Sequence, residues 1–412
     1  MMPALNSINS TRLQHRIQTL AEIGRKPDGG IYRMALSPAD LEARAWLGNE
    51  ITTAGLELHT DLAANISARW RSDLPSTVMS GSHLDSVPGA GHLDGALGVL
   101  TALECVQRIK ELDLPLKHGL EAIAFTDEEG RFGGMLGSQA LTGQLSPGVV
   151  LSARALDGET LVEAMAKAGF DAQQMPLAER DPLTLHAFVE MHIEQGPVLD
   201  SINCPIGIVQ AITGLFKWEV TLEGESNHAG TTPMEMRRDA FQGVVDFAGQ
   251  LQRILDEYGT RNSRATIGKL QLFPGAANVV PGKAVFTLEV RDTDPAILAQ
   301  LADAYQRSLF AVARQHDLVK HVAVLSELPP APCSEQVVAT IRQQAGAMGL
   351  AHHTMPSGAA HDCQMLTQVT QAGMIFVPSK GGKSHSPHEW TAFKDIEAGA
   401  NLLLNTLISL AS

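Results

Sequence analysis

The sequence predicts an α/β protein with a second domain inserted into the first, and three observations point to it. Its 412 residues exceed the roughly 250–300 that one hydrophobic core organises. Short apolar runs at 77–82 (TVMSGS), 119–125 (GLEAIAF) and 188–193 (FVEMHI) read as buried strands alternating with helical segments, as in an open α/β sheet. A segment of about 211–327 has a different rhythm, with strands that alternate apolar and polar residues.

Taken in order, the run 77–82 leads through a Pro/Gly loop to Val99, Leu103, Val106 and Ile109, whose spacings of 4, 3 and 3 mark one helix face. The second run ends in Thr126-Asp127-Glu128-Glu129-Gly130, and the third in Glu194-Gln195-Gly196-Pro197. Each strand therefore runs into a polar cluster, and ligands of open α/β sheets bind beyond the carboxyl ends of strands. In the inserted segment, Trp218, Val220 and Leu222 alternate as a half-solvated strand, and Phe241, Val244, Val245, Ala248, Leu251 and Leu255 mark a helix. A strand at 265–273 and, after the Pro274-Gly275 and Pro281-Gly282 turns, another with Phe286, Leu288 and Val290 follow. A helix with Leu298, Leu301 and Tyr305 and a strand at 321–325 complete the order β-α-β-β-α-β, a ferredoxin-like unit. The expected domains are 1–210 with 328–412, closed by a helix around 395–410, and the insertion 211–327.

A formal charge of −14, from 45 acidic against 31 basic residues, argues against nucleic acid or an anionic membrane as partner. Cys105, Cys204, Cys333 and Cys363 are far apart and form no CxxC, so neither a disulfide framework nor a thiolate metal site is expected. The N-terminal MMPALNSINSTRLQHRIQTL has no apolar run suited to a signal peptide, and no stretch approaches the roughly 20 apolar residues of a membrane span. A cytoplasmic protein is the expectation.

Imidazoles and carboxylates gather at the strand ends: His83 and Asp94, Glu128-Glu129, His192, and the run SHSPHE at 384–389. Such a set, without thiolate, suits a divalent metal of zinc, manganese or cobalt type. Of two adjacent glutamates, one can bind metal while the other stays free as a base. One histidine among 15 is more often solvated or hydrogen-bonded than a ligand, and His92 and His388 are read so. The joint placement at strand ends favours a metal hydrolase.

The blocks GSHLDSVPGAGHLDG (81–95), TDEEGRFGGMLGS (126–138), EMHIEQGPVL (190–199), GESNHAGTTPMEMRRDA (224–240), NVVPGKAVFTLEVR (278–291), SGAAHDCQ (357–364) and SHSPHE (384–389) cover nearly the whole chain in order. Together they resemble the dinuclear zinc amidohydrolases of the aminoacylase/carboxypeptidase superfamily. Within it they are similar to the hydantoinase/carbamoylase branch, which holds the N-carbamoyl-L-amino-acid hydrolases of hydantoin utilisation and the allantoate amidohydrolases. The resemblance implies a metallo-aminopeptidase-like catalytic domain with a mixed sheet, and an inserted domain serving as lid and dimerisation surface. It implies two divalent metal ions per subunit, zinc first, with manganese, cobalt or nickel as alternatives. Asp94 would bridge them, His83 and His192 would complete one site, and Glu129 and His385 the other. Asp85 would orient His83, Glu128 would be the free base, and His228 would stabilise the oxyanion. Gln195, Lys217, Asn278, Arg291, Gly358 and Ala359 would hold the carboxylate and ureido group of a small-molecule substrate. It further implies a homodimer through the insertion, with His228 acting on the partner's metals and hinges near 210 and 328.

The chain departs from that pattern in places. Allantoate-specific members carry GQRR where this chain has Gly214-Leu215-Phe216-Lys217, and phenylalanine cannot fork onto a carboxylate as arginine does. This favours cleavage of an N-carbamoyl-L-amino acid to amino acid, ammonia and carbon dioxide. Ala360, Ala90 and His92 stand where other small or polar residues are usual and bear on pocket shape. The alternatives are allantoate, ureidoglycine or 3-ureidopropanoate hydrolysis. A non-catalytic binding protein is a remote one, because all five ligands and Glu128 are present.

Overall fold

The computed structural model describes residues 6–412. The chain divides into two units, one running through Gln210 and resuming at Cys333, the other Ala211–Pro332. The return falls at Cys333 rather than 328 because the strand Val319–Leu328 is longer than expected, and Ala331 and Pro332 then pair with Ile212 and Ala211.

A nine-stranded mixed sheet runs in the order Glu57–Thr60, Ile66–Trp70, Gly119–Phe125, Thr77–His83, Leu185–Ile193, Gln371–Val377, Ile206–Ile212, Ala331–Pro332, with His352–Ser357 also on Ile206–Ile212. Its centre, from Gly119–Phe125 to Gln371–Val377, is parallel. His83 stands opposite Phe125, and His192 opposite Phe376, so these strands end together at one edge. The polar clusters are thereby delivered to a common place.

The helix Ala96–Leu112 follows directly on Asp94. Val99, Leu103, Val106 and Ile109 are buried as their spacing required, but so is nearly every residue of its first three turns. The reason is that the helix packs against the sheet on one side and against Ser10–Leu20 and Phe393–Ala411 elsewhere. Its fully buried Glu104 takes Arg12 at 2.6 Å and Arg16 at 3.2 Å from the N-terminal helix.

The second unit holds a five-stranded antiparallel sheet ordered Val319–Leu328, Gly214–Glu223, Lys283–Asp292, with Arg264–Thr266 and Leu270–Phe273 both on the far side of Lys283–Asp292. Its core joins Phe216, Trp218, Val220 and Leu222 to Phe286, Leu288, Val290 and the helix Pro295–Gln315. Two elements differ from expectation. The strand expected at 265–273 is interrupted around Gly268, and the helix expected across 241–255 is two helices, Ala240–Ala248 and Leu251–Tyr258, separated at Gly249. In both places a glycine supplies neither a side chain to pack nor helix propensity. Among the described residues no helix is long and apolar enough to cross a membrane.

Candidate metal centre

The loop between Thr77–His83 and Ala96–Leu112 is pinned from elsewhere in the chain. Buried Glu389 accepts the N–H groups of Leu93 and Asp94 through Oε1, at 2.8 and 3.1 Å, and the Ser384 hydroxyl through Oε2, at 2.9 Å. Gly95 then turns the chain into the helix with φ of 62°. A Cβ here would lie 2.3–2.4 Å from three atoms of the His83 imidazole, so the position needs glycine for its conformation and for its lack of a side chain. Gly95→Ala is therefore expected to push His83 aside and lower metal affinity by about 10–100-fold, the range for lost support of a ligand. Metal content after dialysis, read by mass spectrometry, checks this; unchanged content would contradict it.

The glutamate pair is presented by a loop folded around two buried carboxylates. Asp127, at φ of 56°, accepts the N–H groups of Phe132 and Gly133, each at 3.1 Å. Asp85 accepts the N–H groups of Glu128 and Glu129 at 3.3 and 3.1 Å. Asp85, expected to orient His83, meets its Nδ1 within hydrogen-bond reach through the backbone carbonyl at 2.9 Å, while the carboxylate that takes the glutamate turn stands 3.8 Å from the same nitrogen. His192 Nδ1 likewise meets the carbonyl of Ile193 at 2.9 Å. A carbonyl partner holds one ring proton at Nδ1, so Nε2 is the atom of each ring that would bind a metal ion once its own proton is displaced.

Asp94 stands at the centre. Its Oδ1 is 3.7 Å from His83 Nε2 and 3.2 Å from His192 Nε2. Its Oδ2 is 3.3 Å from His385 Nε2, which is in turn 3.4 Å from Glu129 Oε1. The two oxygens of one carboxylate thus face two trios, His83/Asp94/His192 and Asp94/Glu129/His385, each compact enough to hold one metal ion. Gln195 Nε2 and the Ser384 hydroxyl both donate to Asp94 Oδ2, at 2.7 and 2.9 Å. Glu128 belongs to neither trio, although its Oε2 lies 3.5 Å from His83 Nε2.

The electrostatics call for a cation. Among the described residues, the ion pairs of Asp94, Glu128 and Glu129 are with histidines, and Glu129 Oε1 is buried without a hydrogen bond. Burial and Asp94 push Glu129 up to about 8, while burial and Glu129 push Glu128 well above the usual carboxylate range. Against its burial, hydrogen bonds from His192 and His385 hold Asp94 well below that range. In return Asp94 raises His385, and His192 against its own burial, to about 9. Crowded oxygen and imidazole donors fit a divalent metal ion.

Sequence reasoning overlooked the support behind His192. His361 packs edge-on against it at 4.5 Å between ring centroids and holds the Ser357 hydroxyl at 2.9 Å. Glu190, beside them, accepts from the Ser82 hydroxyl at 2.7 Å and from Cys363 N–H at 2.9 Å. The signal was present in the SGAAHDCQ block, where only the small residues were given roles. Gly358 and Ala359 occupy the loop after His352–Ser357, and Ala359 N–H donates to Ser357 Oγ at 3.2 Å.

The remaining predicted residues belong to the inserted unit. His228 and Asn278 sit on neighbouring loops, joined by Ala229 N–H to the Asn278 carbonyl at 2.9 Å and Val280 N–H to the Asn227 carbonyl at 2.8 Å. His228 is exposed, and its Nδ1 accepts Gly230 N–H at 3.1 Å, which leaves the ring proton on Nε2 as a donor. Lys217 and Arg291 meet at Glu289: Lys217 Nζ is 2.7 Å from Oε2, and Arg291 Nε and Nη2 are each 2.9 Å from Oε1. Phe216, read as standing in place of a carboxylate-forking arginine, is in the core of this unit, with its ring 4.4 Å from that of Trp218. Strand alternation puts Leu215 and Lys217, not Phe216, on the face of Arg291, and Leu215 is its cross-strand neighbour.

The sequence pattern of peptidase family M20/M25/M40 matches residues 79–409, a span that contains every member of both trios. The chain belongs to this family. It is 38% identical to the N-carbamoyl-L-amino acid amidohydrolase of Geobacillus stearothermophilus over 98% of this chain and 99% of that one. With the allantoate amidohydrolase of Escherichia coli (strain K12) it shares 35% identity over 97% of each. The crystal structure of an amidase of the hydantoinase/carbamoylase family from Burkholderia multivorans superimposes with a TM-score of 0.91, at 33% identity and 98% coverage of both chains. This M20/M25/M40 chain is accordingly an amidohydrolase, acting on C–N bonds other than peptide bonds.

Proposed function

We propose that this M20-family chain hydrolyses N-carbamoyl-L-amino acids: one water cleaves the ureido group, and amino acid, ammonia and carbon dioxide leave. The observation that supports it most is Asp94, whose oxygens face two ligand trios. Bound there, two divalent ions, zinc first and manganese, cobalt or nickel as alternatives, would polarise the carbonyl and lower the pKa of water from 15.7 toward about 7. Glu128, outside both trios, takes the proton of the attacking water and returns it to the departing nitrogen. His228 donates from Nε2 to the oxygen on which negative charge develops. Arg291 forks onto the substrate carboxylate, with Lys217, Asn278, Gln195, Gly358 and Ala359 around the carboxylate and ureido ends. Free, buried cysteines fit the cytoplasm.

The face around Arg291 favours a carbamoyl amino acid over allantoate. It offers Arg291 and Lys217, both held by Glu289, with apolar Leu215 across from Arg291. One carboxylate and one ureido group match that face better than a second ureido arm. Ammonia release from N-carbamoyl-L- and D-amino acids, allantoate and 3-ureidopropanoate tests the choice; turnover of allantoate alone would overturn it. Arg291→Lys is expected to raise KM by at least about tenfold with a smaller effect on kcat, because an ammonium cannot reproduce a two-pronged contact. Unchanged KM would remove Arg291 from the substrate.

The assembly proposed is a homodimer formed through the inserted unit, in which His228 serves the partner's metal centre. Mixing inactive His228→Ala and Glu128→Gln proteins, with subunit exchange verified, would then generate heterodimers with one complete centre and restore part of the activity. Verified exchange without recovery would confine His228 to its own chain.

A further inference from the structure

The first unit contains a cavity of about 530 Å³ that none of the metal-centre or substrate residues above lines. It lies on the sheet face formed by the cross-strand pairs Ser67 with Ile123 and Arg69 with Glu121. Glu121, with a side chain only 1% exposed, sits between two arginines: Arg69 Nε at 3.1 Å and Arg180 Nη1 at 2.6 Å. Against full burial, those guanidinium groups hold its carboxyl below the ordinary range. Each arginine gives Glu121 one nitrogen, so two cations answer one buried anion, and both arginines line the cavity. The other carboxylate here, Asp61, is engaged by the N–H groups of Ala63 and Asn65 and by the Asn65 amide, all at 2.9 Å.

A second observation is independent of the arginines. Ser67, only 1% exposed, lines the same cavity; its hydroxyl faces Glu121, whose carboxyl it helps to hold low, without making a bond of ordinary geometry. A buried hydroxyl so poorly bonded gains from a ligand oxygen within its reach. The mouth is apolar: Leu62 is 41% exposed and Leu177 71% exposed. The volume is within the size range of small-molecule sites, roughly 300–1,000 Å³, and far exceeds what an inorganic anion needs.

We propose that this cavity is a second small-molecule site, taking an organic oxyanion with an apolar body, its carboxylate or phosphate held by Arg69, Arg180 and Ser67 and its body against Leu62 and Leu177. The forks match either oxyanion in geometry, so the test carries both. The probes are 3-phenylpropanoate, phenyl phosphate, inorganic phosphate and the neutral 3-phenylpropanamide, titrated calorimetrically into the metal-loaded protein. Three variants are compared: Ser67→Ala, which removes only a hydroxyl; Arg180→Lys, which keeps a positive charge beside Glu121; and Leu177→Trp, which narrows the exposed mouth. Saturable binding of one or both organic anions is expected, with weaker inorganic phosphate and no response to the amide. Affinity should drop about three- to tenfold in Ser67→Ala and about tenfold or more in Arg180→Lys. Leu177→Trp should also weaken binding, while kcat/KM for ammonia release stays within about twofold in all three, since none is in the catalytic machinery. A crystal soaked with the tighter probe should show it between Arg69 and Arg180. Absence of saturable binding, affinity unchanged by all three variants, or a probe found only at Asp94 would overturn the proposal.

Discussion

Replacing Glu128 with glutamine is expected to lower kcat for ammonia release by roughly 10²–10⁴ while metal content stays at the wild-type value. Glutamine has the shape of glutamate and can still accept a hydrogen bond, but it cannot take a proton from water. The backbone that presents residue 128 is held by Asp85 through the N–H groups of Glu128 and Glu129, and Asp127 folds the loop that follows. None of those contacts involves the altered carboxylate, so the loop should keep its place. Steady-state kinetics together with metal analysis of the same preparation checks the prediction. Loss of metal in parallel with activity would make Glu128 a ligand, contrary to its position outside both trios.

Asp94→Ala should have the opposite signature, with metal and activity lost together. Each trio would retain only two members, His83 with His192 and Glu129 with His385. The drop in metal affinity should exceed the roughly 10–100-fold that loss of a supporting contact costs, because a shared ligand is removed from both sites at once. The loss should therefore also exceed that of Gly95→Ala, which perturbs His83 alone. Metal analysis after dialysis at matched free-metal concentrations measures it. Retention of one tightly held ion per chain would show that Asp94 serves a single site.

How much of this was legible in the sequence depended on where each residue's partners lie. The buried strands Thr77–His83 and Gly119–Phe125 were readable because an apolar run, burial and a polar end coincide within a few residues. The edge strands Glu57–Thr60 and Ala331–Pro332 were not: the first is short and largely exposed, and the second has two residues and exists through pairing with chain more than 100 residues away. In the inserted unit strict alternation revealed which residues pack, and it also puts Phe216 in the core. A family block was read there for its residue types when the pleat should have decided their direction.

The ligands themselves were visible from the joint placement of imidazoles and carboxylates at strand ends and from the family resemblance. What positions them was not. Glu389 reaches back to Leu93 and Asp94 from almost 300 residues away in sequence, and Asp85 bonds the glutamate turn, although its proximity to His83 in the sequence suggested the imidazole. Such contacts are set by tertiary packing, and local spacing holds no trace of them.

If one carboxylate, Asp94, organises two cation sites that act together in hydrolysis, the activity must count two ions. Stripping the protein with a chelator and titrating zinc back, while following ammonia release from an N-carbamoyl-L-amino acid, measures that number. Activity should be negligible in the stripped protein and should rise to saturation at two equivalents per chain. Saturation at one equivalent, or ammonia release that persists without metal, would contradict this.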